Sequence, residues 1–202
     1  MPLWAAPPAA HAAYTLQLGL GAVFVASVVP KLRHPRDAAS AVREYRLVPV
    51  AVADITAYVL IGVEAFLAVA LLLGVLVPIA VPVGAATLLA FLAAAGINLR
   101  RGRQIPCGCF GDPKEQISAR TIVRLLVLLA GFTLLAAFVA DGVPVVRVDA
   151  LISQGFVGLT YLLQMAGLAA FIDLTVLWLL HLPELTAVLD SAGRRSTVRN
   201  PP

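Results

Sequence analysis

The chain has two cysteines, and a single glycine separates them, in Pro106-Cys107-Gly108-Cys109-Phe110-Gly111-Asp112. Thiols at that spacing, in a loop containing proline and glycine, suit redox exchange. Arg101, Arg103 and Lys114 lie close in sequence, and nearby cations lower a thiol's pKa toward the reactive thiolate. A regular helix aims residues two apart to different sides, but Gly108 relaxes that constraint. A Cys107–Cys109 disulfide would close a small ring at some strain, and strained disulfides exchange readily. Two other readings stand beside this one. Two thiolates could hold a soft ion such as Cu(I), although zinc needs about four ligands and neither His34 nor His181 is at ligand spacing. A structural turn with inert thiols is the third.

A carboxylate is the second candidate. Glu64 sits near the middle of an apolar run, Ile61-Gly62-Val63-Glu64-Ala65-Phe66-Leu67. A charged carboxylate at the centre of a bilayer costs at least about 2.5 kcal/mol and turns toward the interior of a helix bundle. Thiol–disulfide exchange releases and takes up protons, and a buried carboxyl could carry them. The plainer reading is a glutamate hydrogen-bonded to a neighbouring helix for packing alone. Asp173 is a similar but weaker candidate. Asp54 reads as an interfacial or helix-start residue, and Lys31 and Tyr45 read as interface anchors. His11, His34 and His181 fall near the ends of apolar segments and read as interfacial residues.

The elements that must position these groups are helices in a membrane. Of 202 residues, 60% are hydrophobic and 13% charged, against about half and a quarter in a soluble domain. So short a chain could hardly bury several all-apolar helices in a soluble core. A membrane-crossing helix needs about 20 apolar residues, which predicts five spans: 14–29 closed by Pro30, 53–76, 78–99, 121–140 and 157–180. Gln164 and Asp173 interrupt the last, so a four-span chain with a re-entrant or surface-lying final helix is the alternative. Only the turn at Val77-Pro78 parts the second and third spans, which predicts a tight helical hairpin. Ala22 and Ala26, Ala86, Ala90 and Ala94, and Ala166 and Ala170 form small-xxx-small patterns that would let helices approach closely.

Charge gives an orientation. Fourteen of the 15 lysines and arginines fall between spans one and two, between spans three and four with Arg124 just inside the fourth span, or in the tail; only Arg147 falls on the opposite side. Basic loops stay cytoplasmic, which predicts an external N-terminus, a cytoplasmic C-terminus and an odd number of spans. The basic pI is therefore a topology signal with some attraction to anionic lipid. No aromatic-interleaved basic patch accompanies it, so nucleic acid is not an expected partner. "MPLWAAPPAAHAA" has no basic residue before its apolar run and does not read as a cleavable secretory signal. The predicted organisation is an external segment 1–13, spans over 14–140, an outer loop and fifth span over 141–180, and a polar cytoplasmic tail over 181–202.

Several segments carry a resemblance: "KLRHP" after the first span, "EYRLVP" in the basic loop, "IGVEAFLAVALLLG", and "INLRRGRQIPCGCFGD" before the fourth span. In that order, over roughly residues 14–140, they resemble the MauE family of membrane proteins, related to DoxX-like four-helix proteins. Lys31, Tyr45 and Glu64 stand where the family pattern would put them. The resemblance implies an all-α, polytopic bundle in a bacterial inner membrane, with a DoxX-like four-helix core and a fifth C-terminal span. It also implies a role in methylamine utilisation: maturation of methylamine dehydrogenase, with a disulfide-rich small subunit, beside an extracytoplasmic thioredoxin-like partner. Cys107, Cys109 and Glu64 are then the expected chemistry-bearing residues, with no metal and no cofactor motif. Two alternatives remain, an assembly factor without redox chemistry and a quinone-linked subunit. The charge pattern puts the cysteines inside, whereas the implied client matures outside, and no second cysteine pair exists to relay electrons.

Overall fold

A computed structural model of the chain describes residues 7–103, 105, 116–147, 163–164 and 166–170. Five helices follow one another: α1 (Pro8–Arg33), α2 (Pro35–Tyr45), α3 (Val50–Leu73), α4 (Val77–Arg100) and α5 (Ala119–Ala140). All but α2 are long and apolar enough to cross a bilayer. No strand ladder occurs among the described residues, and the protein is an all-helical, multi-pass membrane protein. The predicted fifth span lies mostly outside the described residues; within it, 163–164 and 166–170 are helical.

Local chemistry sets the helix ends. Pro8 and Pro35 open α1 and α2 at positions where the missing N–H is no loss. Ser118 caps α5, its N–H donating to Thr121 Oγ1 at 3.3 Å. At the other ends, Gly74, Gly102 and Gly142 take positive φ, and the next N–H closes on the last turn of α3, α4 and α5. Pro30 does not stop α1 as its type suggested. It only removes one N–H near the end, and the helix runs on to Arg33, where the His34 N–H bonds to the Pro30 carbonyl at 3.0 Å.

The sequence reading had no helix in the basic loop. There α2 lies across the end of the bundle, and its Arg43 meets Asp54 of α3 at 2.5 Å. About half of each side chain is exposed (44% and 51%), so water screens the attraction. Arg43→Ala should therefore change thermal stability in detergent by less than about 1 kcal/mol.

α1 packs chiefly on α3, and α4 on α5. Hydrocarbon outside the bundle is as apolar as its core, so association rests on close packing rather than escape from water. The small-xxx-small alanines do not supply it: Ala22, Ala26, Ala86, Ala90, Ala166 and Ala170 are exposed. The close approaches occur at glycines instead. At Gly84 the ring of Phe132 fills the space a side chain would need, and Gly21 abuts Leu71 and Leu72. Phe132 in turn stands edge-on to Phe24, with ring centres 5.9 Å apart. The α3–α4 turn is tight, formed at Gly74 to Leu76 rather than at Val77-Pro78. The two helices nevertheless touch less than α1 and α3 or α4 and α5 do, and a cavity opens between them toward α2.

Candidate functional site

Inside the bundle α1 and α3 bring three polar side chains together. Glu64 is fully buried midway along α3. Lys31 Nζ lies 2.5 Å from its Oε1 and 2.7 Å from its Oε2. Ser27 Oγ donates to Oε1 at 3.2 Å and accepts from Lys31 Nζ at 3.0 Å. The three donors of the ammonium thus meet three oxygens, and the ion pair is closed on itself. Lys31 also stands 5.8 Å from the centre of the Phe91 ring on α4.

This corrects the reading of Lys31 as an interface anchor. Side chains on a helix lean toward its N-terminus. At the C-terminal end of α1 that direction is inward, past Ser27 one turn below. Reaching outward would work against the lean, and Glu64 offers a counter-charge on the inward side. Only 10% of the lysine side chain is exposed. Tyr45 is likewise no free anchor, since it packs on the core and lines the cavity beneath α2. Asp54 sits in the first turns of α3, as a helix-start residue would. His11 stands edge-on to Tyr14, 6.2 Å between ring centres, and His34 links α1 to α2.

On the far side of Glu64 a small cavity of about 30 Å³ has room for a water molecule. Ser27, Glu64, Thr121 and Arg124 supply its polar lining, and Phe91 separates it from the larger cavity. Thr121 and Arg124 belong to the first turns of α5, directly after the cysteine segment. Cys107 and Cys109 lie outside the described residues, as do Asp173 and His181. The residues flanking the pair are described. Ile105 and Ile117 are both buried in the core, and the Ile117 N–H bonds to the Ile105 carbonyl at 3.0 Å. The described residues on either side of the thiol segment therefore meet at one point, on the end that also holds α2.

A second buried polar node was not foreseen from sequence. Gln17 is fully buried, and its amide donates to the carbonyls of Leu71 at 2.7 Å and Val146 at 3.1 Å. Its Oε1 accepts from the Val146 N–H at 3.0 Å. It ties the segment after α5 to the opposite end of the bundle from Lys31.

The family model for methylamine utilisation protein MauE matches residues 9–140, from α1 to the end of α5. The chain belongs to the MauE family. The methylamine utilisation protein MauE of Paracoccus denitrificans is 41% identical over 151 residues, or 72% of this chain and 77% of that protein. The MauE of Methylophilus methylotrophus is 35% identical over 120 residues, 58% and 63% of the two chains. No solved structure matches. The MauE match thus spans both the Lys31–Glu64 pair and the cysteine segment.

Proposed function

We propose that this MauE-family protein serves methylamine utilisation as a membrane thiol–disulfide exchange component in the maturation of methylamine dehydrogenase. The observation that carries the reading is the pair Cys107 and Cys109, the chain's only cysteines, one residue apart in a basic segment. Thiolate attack on a thioredoxin-like partner's disulfide breaks its S–S bond and forms a mixed disulfide. The second cysteine resolves that bond. A Cys107–Cys109 disulfide remains, and the partner leaves as a dithiol, having gained two electrons and two protons; the reverse exchange restores the pair. Glu64, between the small cavity and Lys31 and facing the start of α5, is the group we assign to carrying protons. The fourteen basic residues gathered on one side support a cytoplasmic basic end, hence an external N-terminus and a cytoplasmic C-terminus.

Alkylation trapping in cells grown on methylamine tests the exchange. The wild-type pair should be found in both dithiol and disulfide forms. Cys107→Ser and Cys109→Ser should each lower the yield of active methylamine dehydrogenase at least about tenfold, since either change removes the exchange. Full yield from the double serine variant would leave an assembly factor without redox chemistry. An impermeant maleimide applied to intact cells reads the orientation separately, and rapid labelling of Cys107 from outside would reverse it.

A further inference from the structure

The splay of α3 from α4 leaves a cavity of about 270 Å³, roofed by α2. Its wall is hydrocarbon: Ala41 and Val42 from α2, Ala57 and Ile61 from α3, Ala90 and Ala94 from α4. The polar atoms at its edge are already bonded. The Thr56 hydroxyl donates to the Val52 carbonyl at 2.9 Å, and the Lys31 ammonium is engaged by Ser27 and Glu64. An apolar space of this kind holds hydrocarbon rather than water. It is too small for a helix, about 10–12 Å across with its side chains, and suits a single chain.

The exposed surface of the segments flanking the cavity is of opposite character. Arg33, Arg36 and Arg46 are exposed around α2, and Arg100 and Arg101 are exposed at the nearby end of α4. Asp37 and Glu44 offset only part of that charge. Exposed basic clusters beside a transmembrane helix attract anionic headgroups. We propose that the cavity beneath α2 is a binding site for one anionic phospholipid, its acyl chain between α3 and α4 and its phosphate toward the exposed arginines of α2 and the end of α4. In this arrangement α2 is a lid whose apolar face covers the chain and whose polar face meets the headgroup layer.

Native mass spectrometry of the full chain, released from nanodiscs of equal phosphatidylglycerol and phosphatidylcholine, tests the site. One phospholipid should remain bound, with phosphatidylglycerol retained over phosphatidylcholine by at least about fivefold. Ala90→Phe with Ala94→Phe should fill the cavity and cut retention at least about tenfold. Ala90→Leu alone, at an exposed position, provides the same reading if the double variant melts early. Arg36→Gln with Arg46→Gln should leave a lipid bound but bring the two headgroups toward parity. Retention indifferent to filling, or equal retention of both lipids by the wild type, overturns the proposal. So does a prenylquinone, added to the nanodiscs, that is retained in place of the phospholipid.

Discussion

Lys31→Met should destabilise the protein by about 3–5 kcal/mol, the cost of leaving one member of a buried ion pair without the other. In a thermal melt in detergent the expected loss is on the order of 10 °C. Glu64 is fully enclosed, and both its oxygens face the ammonium. Among the described residues, removing that ammonium leaves only the Ser27 hydroxyl donating to a buried carboxylate. Glu64→Gln should also destabilise, because it sets a neutral amide against a buried cation.

Lys31→Met combined with Glu64→Gln should recover most of the loss. Replacing both partners by groups of similar shape removes the uncompensated charge and the desolvation it caused. The interaction energy between the two changes should exceed 1 kcal/mol in magnitude, as for groups in direct contact. Single variants within about 1 kcal/mol of wild type, or additive ones, would mean that the ion pair does not hold α1 to α3. The double variant also divides structure from chemistry. If it melts like wild type yet fails to support methylamine dehydrogenase maturation, the carboxyl has a protonic role. If maturation returns with stability, the pair is architectural.

Hydropathy made most of the fold legible. Spans two to four were placed within three residues of α3, α4 and α5, because continuous apolar runs have no other home. The content of the site was less accessible. Glu64 stood out as a charge within an apolar run, but its partner lies 33 residues away. A lysine just beyond a span also reads as a topology marker, and only the inward lean of α1's last turn distinguishes the two uses. Gln17 is a single amide in a long apolar helix, and nothing local reveals that three backbone groups converge on it. The alanine patterns misled for a related reason. Small residues permit close approach, but which face is used depends on the neighbours, here Phe132 at Gly84 and Leu72 at Gly21. The short α2 escaped because its composition is that of a basic loop, and its packing over the cavity depends on helices distant in sequence.

Gly74→Ala should cost about 2–4 kcal/mol, far more than its one added methyl suggests. Two effects combine at this position. Gly74 has φ +66°, in the left-handed region that an L side chain occupies only with strain. The new methyl would also run into the backbone of Val146 and Arg147, and main chain cannot swing aside as a flexible side-chain end can. Val146 is itself held from both sides by Gln17, so relief of the clash must break those bonds. Gln17→Leu should cost about 3 kcal/mol alone, since it strands buried backbone groups of Leu71 and Val146. Because both changes act through Val146, the double variant should lose less than the sum. Gly62→Ala is the control, on the same helix, where an added methyl meets nothing within 4 Å. There the gain in helix propensity should leave stability unchanged or raised by up to about 1 kcal/mol. Equal effects at Gly62 and Gly74 would mean that the segment after α5 does not close against the α3–α4 turn.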